Sequence, residues 1–547
     1  MPVYLSPGVY VLEVPSAQQP IAAVGTNTVG FIGVVPDEII YPVANDDYDP
    51  QAALTALGGP ETNKQETDLI EKEIRSFESR LGEAQKAVDG LNARVAGVNK
   101  EDPNLTQAQR KDFRDLEKRT KEVEQLKSEL DSRRKKLDEL KQPPRVDEKS
   151  LKPYRLAGRD AVDATGKPIP AFDVKSKAAS GDAKLCTNFT EFTDRFGPFS
   201  ADDPTKDPGE ALHPGHRALA HGVYGFFANG GTRCFVARVS SDNAAEIDKA
   251  LTGFESIDEI AIVATPGLEG GAIWNLLVAH CNKMEDRFAI LDSQADVETN
   301  GELDVTLLNY TNLNNVLPQT SKNAAFYFPH IEVIDPAKQL QDQDPARGIP
   351  TKHRGKVYVP PSGHVAGIYA RVDEQRGVHK APGNEAVIGA LDVKYYIGKR
   401  KQDLLNPQGV NCIRNLNGNI RVYGARTIGG DKNTEWKYVN VRRVFLFLRE
   451  SIDEGTQWVV FEPNDRSLWG KINRNVTAFL TIVWRDGALF GSTPQEAFYV
   501  KCDEETNPPE VRDLGQVVTE IGVAIVRPAE FVIFKVAQWA GPRGTTA

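Results

Sequence analysis

The chain has 547 residues, more than one hydrophobic core usually organises, so two to four domains are expected. Apolar residues are 40% and charged residues 26%, the balance of an ordinary soluble globular protein. A net charge of -10 argues against nucleic acid as the main partner, and no apolar run reaches the ~20 residues that a membrane-spanning helix needs.

Residues 1–24 carry Pro2, Pro7, Pro15 and Pro20, a density that prevents a helix, and they lack the basic start and long apolar core of a secretion signal. The piece around Val9, Tyr10 and Val11 fits one strand, which needs another sheet to join. TVGFIGVVP (Thr28–Pro36) then reads as a buried strand.

From Glu61 to Leu140 the composition changes: 37 of 80 residues are charged. Ile70, Ile74, Phe77, Leu81, Ala84, Val88, Leu91, Val95 and Val98 are spaced alternately four and three apart. Leu116, Val123, Leu130 and Leu137 sit seven apart, with Leu126 and Leu140 in the intervening seam and Arg119 and Arg133 weakening it. This 3.5-residue period predicts two coiled-coil helices forming an antiparallel hairpin on the order of 50 Å long. The alternative is a solvated charged linker, which rarely keeps a heptad over nine positions. GVNKEDPN separates the helices, with Asn104 and Gln107 spaced as a capping box, and QPPR ends the second.

Residues 150–180 are polar and read as loop or ragged strands. NFTEFTDRFGPF predicts a short helix, ALAHGVYGFFANGG a helix stopped at Asn229-Gly230-Gly231, and TRCFVARV a strand. EIAIVATPG, WNLLVAHCNKMED and RFAILD form a strand–helix–strand unit, so a parallel or mixed sheet is expected. NAAFYFPHIEVID adds a strand pair. Beyond Gly389 short strands and helices alternate. SLWGKINRNVTAFLTIVWRDG is an amphipathic helix with Leu468, Ile472, Val476, Phe479 and Val483 on one side and Lys471 and Arg474 elsewhere. The last segment, GVAIVRPAEFVIFKVAQW, is strand-rich, and such tails add to another chain's sheet edge.

Sites for chemistry are sparse. The five cysteines are scattered without a CxxC pair and read as buried, reduced thiols. His213, His216 and His221 have the wrong spacing for a helical metal pair and read as solvent-facing or capping residues. ATPGLEGG lacks the lysine and hydroxyl of a phosphate loop, and no GxSxG elbow exists. Ser362 and His364, two residues apart on one strand, would point the same way, without an evident third member. RVDEQRGVHKAPGNEAV (Arg371–Val387) places Asp373, Glu374, Arg376, His379 and Lys380 within a few residues. Its neighbours Gly377, Pro382 and Gly383 make turns, so it reads as a polar junction whose charges pair across a contact.

NFTEFTDRFG, YGFFANGGTRCFVARV, IAIVATPG, DRFAILD, PPSGHVAGIYARVDEQRGVHKAPGN, LNPQGVNCIR, WKYVNVRRVF and RPAEFVIFKV, in that order, resemble the tail sheath protein family of contractile phage tails and contractile injection systems. The resemblance implies a mixed α/β, multidomain sheath fold. Its expected parts are an N-terminal arm (1–24), a middle α/β domain (25–60 and 146–388), an inserted coiled-coil hairpin (61–145), a C-terminal core domain (389–524) and a C-terminal arm (525–547). It implies no enzyme, cofactor, metal site, nucleic-acid partner or membrane insertion. It implies hexameric rings stacked helically around an inner tube protein, with baseplate and terminator or cap proteins. Assembly is expected in the bacterial cytoplasm, into a phage tail or a tail-like particle that is released or membrane-anchored. On this reading the inter-subunit contacts are Val9, Tyr10, Val11, Arg371, Asp373, Glu374, Arg376, Lys380, Phe531, Ile533, Phe534 and Val536, and the tube contacts are Lys471 and Arg474. Two rivals stand beside it: an α/β hydrolase-like enzyme, and a coiled-coil scaffold or tether in which the hairpin is essential and the tails dispensable.

Overall fold

A computed structural model describes residues 20–45, 60–141, 154–158, 161–163, 165–203, 210–337 and 355–534. The chain forms two compact units, one of them Pro42–Ile169 with Lys338–Gly355 and the other the remainder.

The larger unit contributes β1 (Val29–Val34) and β2 (Glu38–Ile39) before the chain enters the smaller one. There β3 (Pro42–Ala44) is followed by helices α1 (Pro60–Val95) and α2 (Gln107–Lys141) and by β4 (Tyr154–Leu156), which pairs antiparallel with β3. Ile70, Ile74, Ala84 and Val88 bury against Val123, Leu126 and Leu130, as the heptad predicts, and Leu91 is buried too. Ion pairs Arg94–Asp112 (3.8 Å), Arg133–Glu73 (3.1 Å) and Arg134–Glu78 (2.7 Å) fix the antiparallel register. Arg133 lays its guanidinium 4.2 Å from the Phe77 ring centroid, so a residue that breaks the apolar seam still covers it. The capping box lies two residues beyond the expected one. Thr106 Oγ1 accepts from Gln109 N (3.3 Å) and Gln109 Oε1 from Thr106 N (3.0 Å), whereas Asn104 donates its backbone N–H to Asp102 (2.9 Å). A hydroxyl at the cap with Gln three residues on closes both bonds, and Thr106 meets that spacing.

The larger unit resumes with β5 (Phe172–Asp173), β6 (Ala183–Cys186), α3 (Phe189–Phe196) and α4 (Pro214–Ala228). Strands β7 (Cys234–Val239), β8 (Ile262–Ala264) and β9 (Phe288–Asp292) alternate with α5 (Ala244–Phe254) and α6 (Gly271–Met284). Next come β10 (Ala324–Phe328), β11 (Ile331–Ile334), β12 (Lys356–Val359) and α7 (Ser362–Arg376). They precede β13 (Glu385–Ala386), β14 (Ala390–Val393), α8 (Lys399–Leu405), β15 (Val410–Leu416) and β16 (Asn419–Val422). The nine-stranded sheet has the order β13-β16-β15-β10-β9-β8-β1-β7-β6. Its six central strands are parallel and its edges antiparallel. Both faces are covered: Ala325 and Tyr327 of β10 join the core under α4 and α7, while Ala324, Phe326 and Phe328 join the one under α5 and α6.

Two sequence expectations differ from this architecture. β10 and β11 are not a pair: β10 lies between β9 and β15, and β11 lies between β12 and β14 in a separate antiparallel sheet. Pro329 between them cannot donate to the ladder and marks the change of sheet. The boundary at residue 388/389 also moves, because β15 and β16 complete the sheet begun by β1 and Ile428 still bonds to Ala324 (2.9 Å). Strands that meet in a parallel sheet are far apart in sequence, so pattern alone does not reveal which sheet each one joins.

The C-terminal core begins with α9 (Val439–Thr456) and α10 (Arg466–Arg485), followed by β17 (Phe498–Lys501), α11 (Pro509–Asp513) and β18 (Glu520–Val523), which pairs with β17. Leu468, Ile472, Val476, Phe479 and Val483 are buried there, as the amphipathic pattern predicts. Ile21, ahead of β1, is buried in the same core, and Val24 donates to Ser451 Oγ (3.1 Å). Among the described residues no helix is long and apolar enough to cross a membrane.

Candidate functional site: a buried polar joint around helix α7

The charged stretch Arg371–Val387 begins as the last residues of helix α7, Arg371–Arg376, and continues past Gly377 through turns into β13. The helix starts after Pro360-Pro361 and stops at Gly377, whose φ of 88° suits glycine. From Ser362 to Ala370 every residue is buried, so each polar group must find a partner inside the protein. Two glycines permit that burial: a Cβ at Gly363 would land on the Gly222 carbonyl of α4, so the helices cross in backbone contact.

At the first turn, Ser362 gives its backbone N–H (2.7 Å) and its hydroxyl (2.5 Å) to the Asp292 carboxylate at the end of β9. Burial pushes the Asp292 carboxyl up to about 7, against the lowering effect of the Ser362 bonds. Ser362 and His364 thus lie on a helix, not a strand. The serine hydroxyl belongs to Asp292, and the fully buried serine faces no substrate. His364 packs against Gly225, and burial, with His221 nearby, pushes its imidazole down to about 3.

One turn further, Tyr369 shares a 2.7 Å hydrogen bond with Tyr327 of β10. Arg371 donates to Asn229 O (3.0 Å) and Ala386 O (2.9 Å). Asp373 takes two bonds from Arg443 of α9 (2.9 and 2.6 Å) and one from the Thr26 hydroxyl (2.6 Å). Arg443 also donates to Thr26 O (2.9 Å) and stands 4.7 Å from the Tyr369 ring centroid. Both charged side chains are 4% exposed. Burial alone would drive the Arg443 guanidinium down, but the Asp373 carboxylate outweighs it and holds it above its ordinary value. Asp373 therefore differs from the exposed contact charge expected from sequence. Apolar α7 neighbours and a cation on α9 enclose it, and neither was adjacent in the sequence. Lys380 likewise turns inward, to Ala381 O (2.6 Å) and Glu385 (3.1 Å). Glu374 and Arg376 are exposed.

The remaining expected residues fall in three places. Val9, Tyr10, Val11 and Val536 lie outside the described residues. Phe531, Ile533 and Phe534 are exposed, directly after Glu530. Glu530 meets Arg426 in two bonds (2.7 and 2.8 Å), Asn406 (2.7 Å) and Tyr438 (2.9 Å). Burial alone would raise the Glu530 carboxyl, and the Arg426 bonds hold it below its ordinary range. Arg474 is exposed and Lys471 half-buried on α10. The groove beside Arg474 is not uniformly basic, because Asp503, Glu504 and Glu505 line it too.

The histidines correct another expectation: His216 and His221 are buried, not solvent-facing. Phe192 stacks on His216 and Phe199 lies against His221, while His216 bonds Ser200 Oγ (2.7 Å) and His221 lies 3.6 Å from Asp335. His213 occupies the N-cap position of α4 without capping by its side chain. Among the described residues no group of His, Cys, Asp and Glu is placed to hold a metal ion. All five cysteines are buried and unpaired, and burial pushes Cys186 up to about 11 and Cys281 to about 12. Sequence reasoning missed Arg443, Asp292 and Glu530. For Arg443 a signal existed: an arginine pair inside VNVRRVFLFL, a run otherwise apolar enough for a buried helix.

Two family descriptions match the chain in tandem: the phage tail sheath protein central domain over residues 243–428 and the phage tail sheath C-terminal domain over residues 431–538. A tail sheath protein of Burkholderia phage BcepMu is 25% identical over 224 residues, 40% of this chain and 43% of that protein. The match thus spans less than half the length of that curated relative. The sheath complex of an extracellular contractile injection system (PVC), in its contracted state, superposes with a TM-score of 0.53 at 26% identity, covering 67% of this chain and 89% of the other. A chain of the anti-feeding prophage baseplate gives 0.52 at 26% identity, covering 66% and 88%. The chain belongs to the contractile tail sheath family. These relatives are structural proteins, not enzymes.

Two outcomes follow for the joint. Asp373→Ala leaves the Arg443 cation buried without its partner and should cost about 3–5 kcal/mol in urea unfolding. The Asp373→Leu/Arg443→Met double variant should cost less than that single change; an equal or larger loss would show that the pair itself stabilises. For His364, the unfolded chain takes up a proton below the ordinary 6.5 while the folded one stays neutral down to about 3, so acidification across that window removes stability. His364→Gln lacks this term. Its stability deficit against wild type should narrow by about 1.4 kcal/mol per pH unit between pH 6 and 4, and a constant deficit contradicts the assignment.

Proposed function

We propose that this chain is the structural subunit of a contractile sheath, polymerising helically around an inner tube and contracting to drive that tube into a target cell or membrane. The carrying observation is the fold match over nearly nine-tenths of a sheath chain from a contracted injection-system particle. The energy comes from the difference between two packings of the same subunits, so no nucleotide site is required. Baseplate and terminator proteins bound the polymer, the subunits meet as hexameric rings, and assembly takes place in the bacterial cytoplasm.

On this reading the arms connect neighbouring subunits. The Glu530–Arg426 anchor supports it: the chain is held at residue 530, and the next four residues, Phe531–Phe534, are all exposed and apolar. An extended apolar segment leaving a fixed point suits strand addition to a second copy, where main-chain bonds persist while side-chain contacts change. On the same reading the α1–α2 pair is a coiled-coil insertion into the sheath fold, which its buried apolar seam supports. Of the charges near Arg371, only Glu374 and Arg376 keep the exposure that a contact between subunits needs. Lys471 and Arg474 face the inner tube.

The test is assembly of the full chain with its inner tube protein, followed by electron microscopy. Chains lacking residues 1–19 or 531–547 should remain folded and form no long sheaths, whereas replacing residues 61–141 with a short linker should leave sheaths intact. Lys471→Glu/Arg474→Glu sheaths should detach from the tube, and the wild-type contact should weaken with salt because exposed charges are screened over ~8 Å at physiological ionic strength. Normal tubes from the arm-deleted chains would refute the arm exchange.

A further inference from the structure

Among the described residues the most exposed aromatic side chain lies on the loop between α9 and α10. Phe461 is fully exposed, and its φ of 67° is one that a bulky L-residue adopts only when the surroundings impose it. The loop is braced on both sides. Val460 N donates to Gln457 O (3.3 Å) and Glu462 N to Val459 O (3.1 Å). Asn464 accepts from Trp469 Nε1 (2.8 Å) and donates to Gln516 O (2.8 Å). This last bond joins the loop to the turn after α11, where Leu514 is 73% exposed. Val460 and Phe461 thus stand on a loop tied to the turn that carries Leu514, with exposed carboxylates at Glu462 beside Phe461 and at Glu510 and Asp513 on α11, where Arg512 is the one exposed cation. A strained backbone that holds an aromatic ring in water lowers no energy within the subunit, whereas an apolar centre with a charged rim is the form of an interface anchor.

Another surface of the same unit has the opposite charge. Helix α8 exposes Lys399, Arg400 and Lys401 in succession, with Leu404 also exposed and Asp403 as its one carboxylate. Gln402 of this helix donates to Tyr423 O (2.6 Å) and accepts from Arg414 (2.8 Å), whose guanidinium lies 5.2 Å from the Tyr423 ring centroid. These bonds hold the exposed Tyr423 ring beside the basic helix.

We propose that the Phe461 tip of one subunit docks on the α8–Tyr423 surface of a second copy of this chain. The apolar parts, Phe461 and Leu514 against Leu404 and Tyr423, form the centre. The carboxylates of the tip meet the three basic residues at the rim. The two patches are different surfaces, so one contact leaves a tip and a receptor unused, and the association propagates head to tail instead of closing as a dimer. This rests on the sheath reading and adds to it a specific contact outside the terminal arms.

The experiment uses the full chain and follows polymerisation by sedimentation and electron microscopy, with circular dichroism as the check on folding. Phe461→Ser, the reversal Lys399→Glu/Arg400→Glu/Lys401→Glu, and the reversal Glu462→Lys/Glu510→Lys/Asp513→Lys should each reduce the assembled fraction about tenfold without changing the monomer's melting. Combining the two reversals in one chain should restore assembly, because opposite charges face each other again. In otherwise wild-type sheaths, subunits with Phe461→Cys and Leu404→Cys should be joined by a short bis-maleimide into dimers and longer ladders. Variants that assemble like wild type, a combined reversal no better than either part, or the absence of cross-links overturn the contact. So does loss of tube binding by Phe461→Ser with sheath polymerisation intact, which would place the tip on the inner tube. A wild-type chain that never polymerises overturns the sheath reading and the contact with it.

Discussion

The bidentate pair between Asp373 and Arg443, closed by both the hydroxyl and the carbonyl of Thr26, is the constraint on which the larger unit depends. It joins three regions far apart in sequence: the segment before β1, the end of α7 and α9. Removing two charges from water is costly, and their mutual attraction offsets this only when the geometry is good and the remaining polar atoms are bonded. Such a pair adds little to net stability. It does set a relative position, since small displacements would leave one of the charges unmatched in a medium of low dielectric.

Helix α7 carries this logic along its whole length. Buried on nearly every side, it meets β9 through Ser362 and Asp292, β10 through the two tyrosines, α4 through glycine contact and Arg371, and α9 through Asp373. Residues that resemble parts of an active site, namely a serine, a histidine and a perturbed aspartate, are thereby structural. The same burial that shifts the groups keeps substrate away, so perturbed protonation here reports packing.

On the proposed reading, a subunit that keeps its fold while its neighbours move needs a rigid body and well-defined exits for its connecting segments. Val24 bonds to Ser451 of α9 and Ile21 is buried in the same core, while Glu530 is held by Arg426. The family relationship, carried by two tandem domain matches and by the superposition on sheath chains of contractile injection systems, agrees with a body of this kind.

The sequence by itself determined the features that local pattern controls. The heptad specified the hairpin, because a 3.5-residue period buries one seam whatever surrounds it. The apolar faces of α4, α6 and α10 and the βαβ unit around β8 and β9 were legible for the same reason, and ordered motifs carried the family. What only the tertiary structure decided were the relations between distant segments. The order of nine strands, the assignment of β10 and β11 to different sheets and the joining of β15 and β16 to the central sheet depend on crossovers that no local period encodes. The fate of the charges depends on them too. Asp373 and Glu374 are adjacent in the chain, yet one is 4% exposed and paired while the other faces water, because helical geometry turns their side chains about 100° apart and α9 lies on one side only.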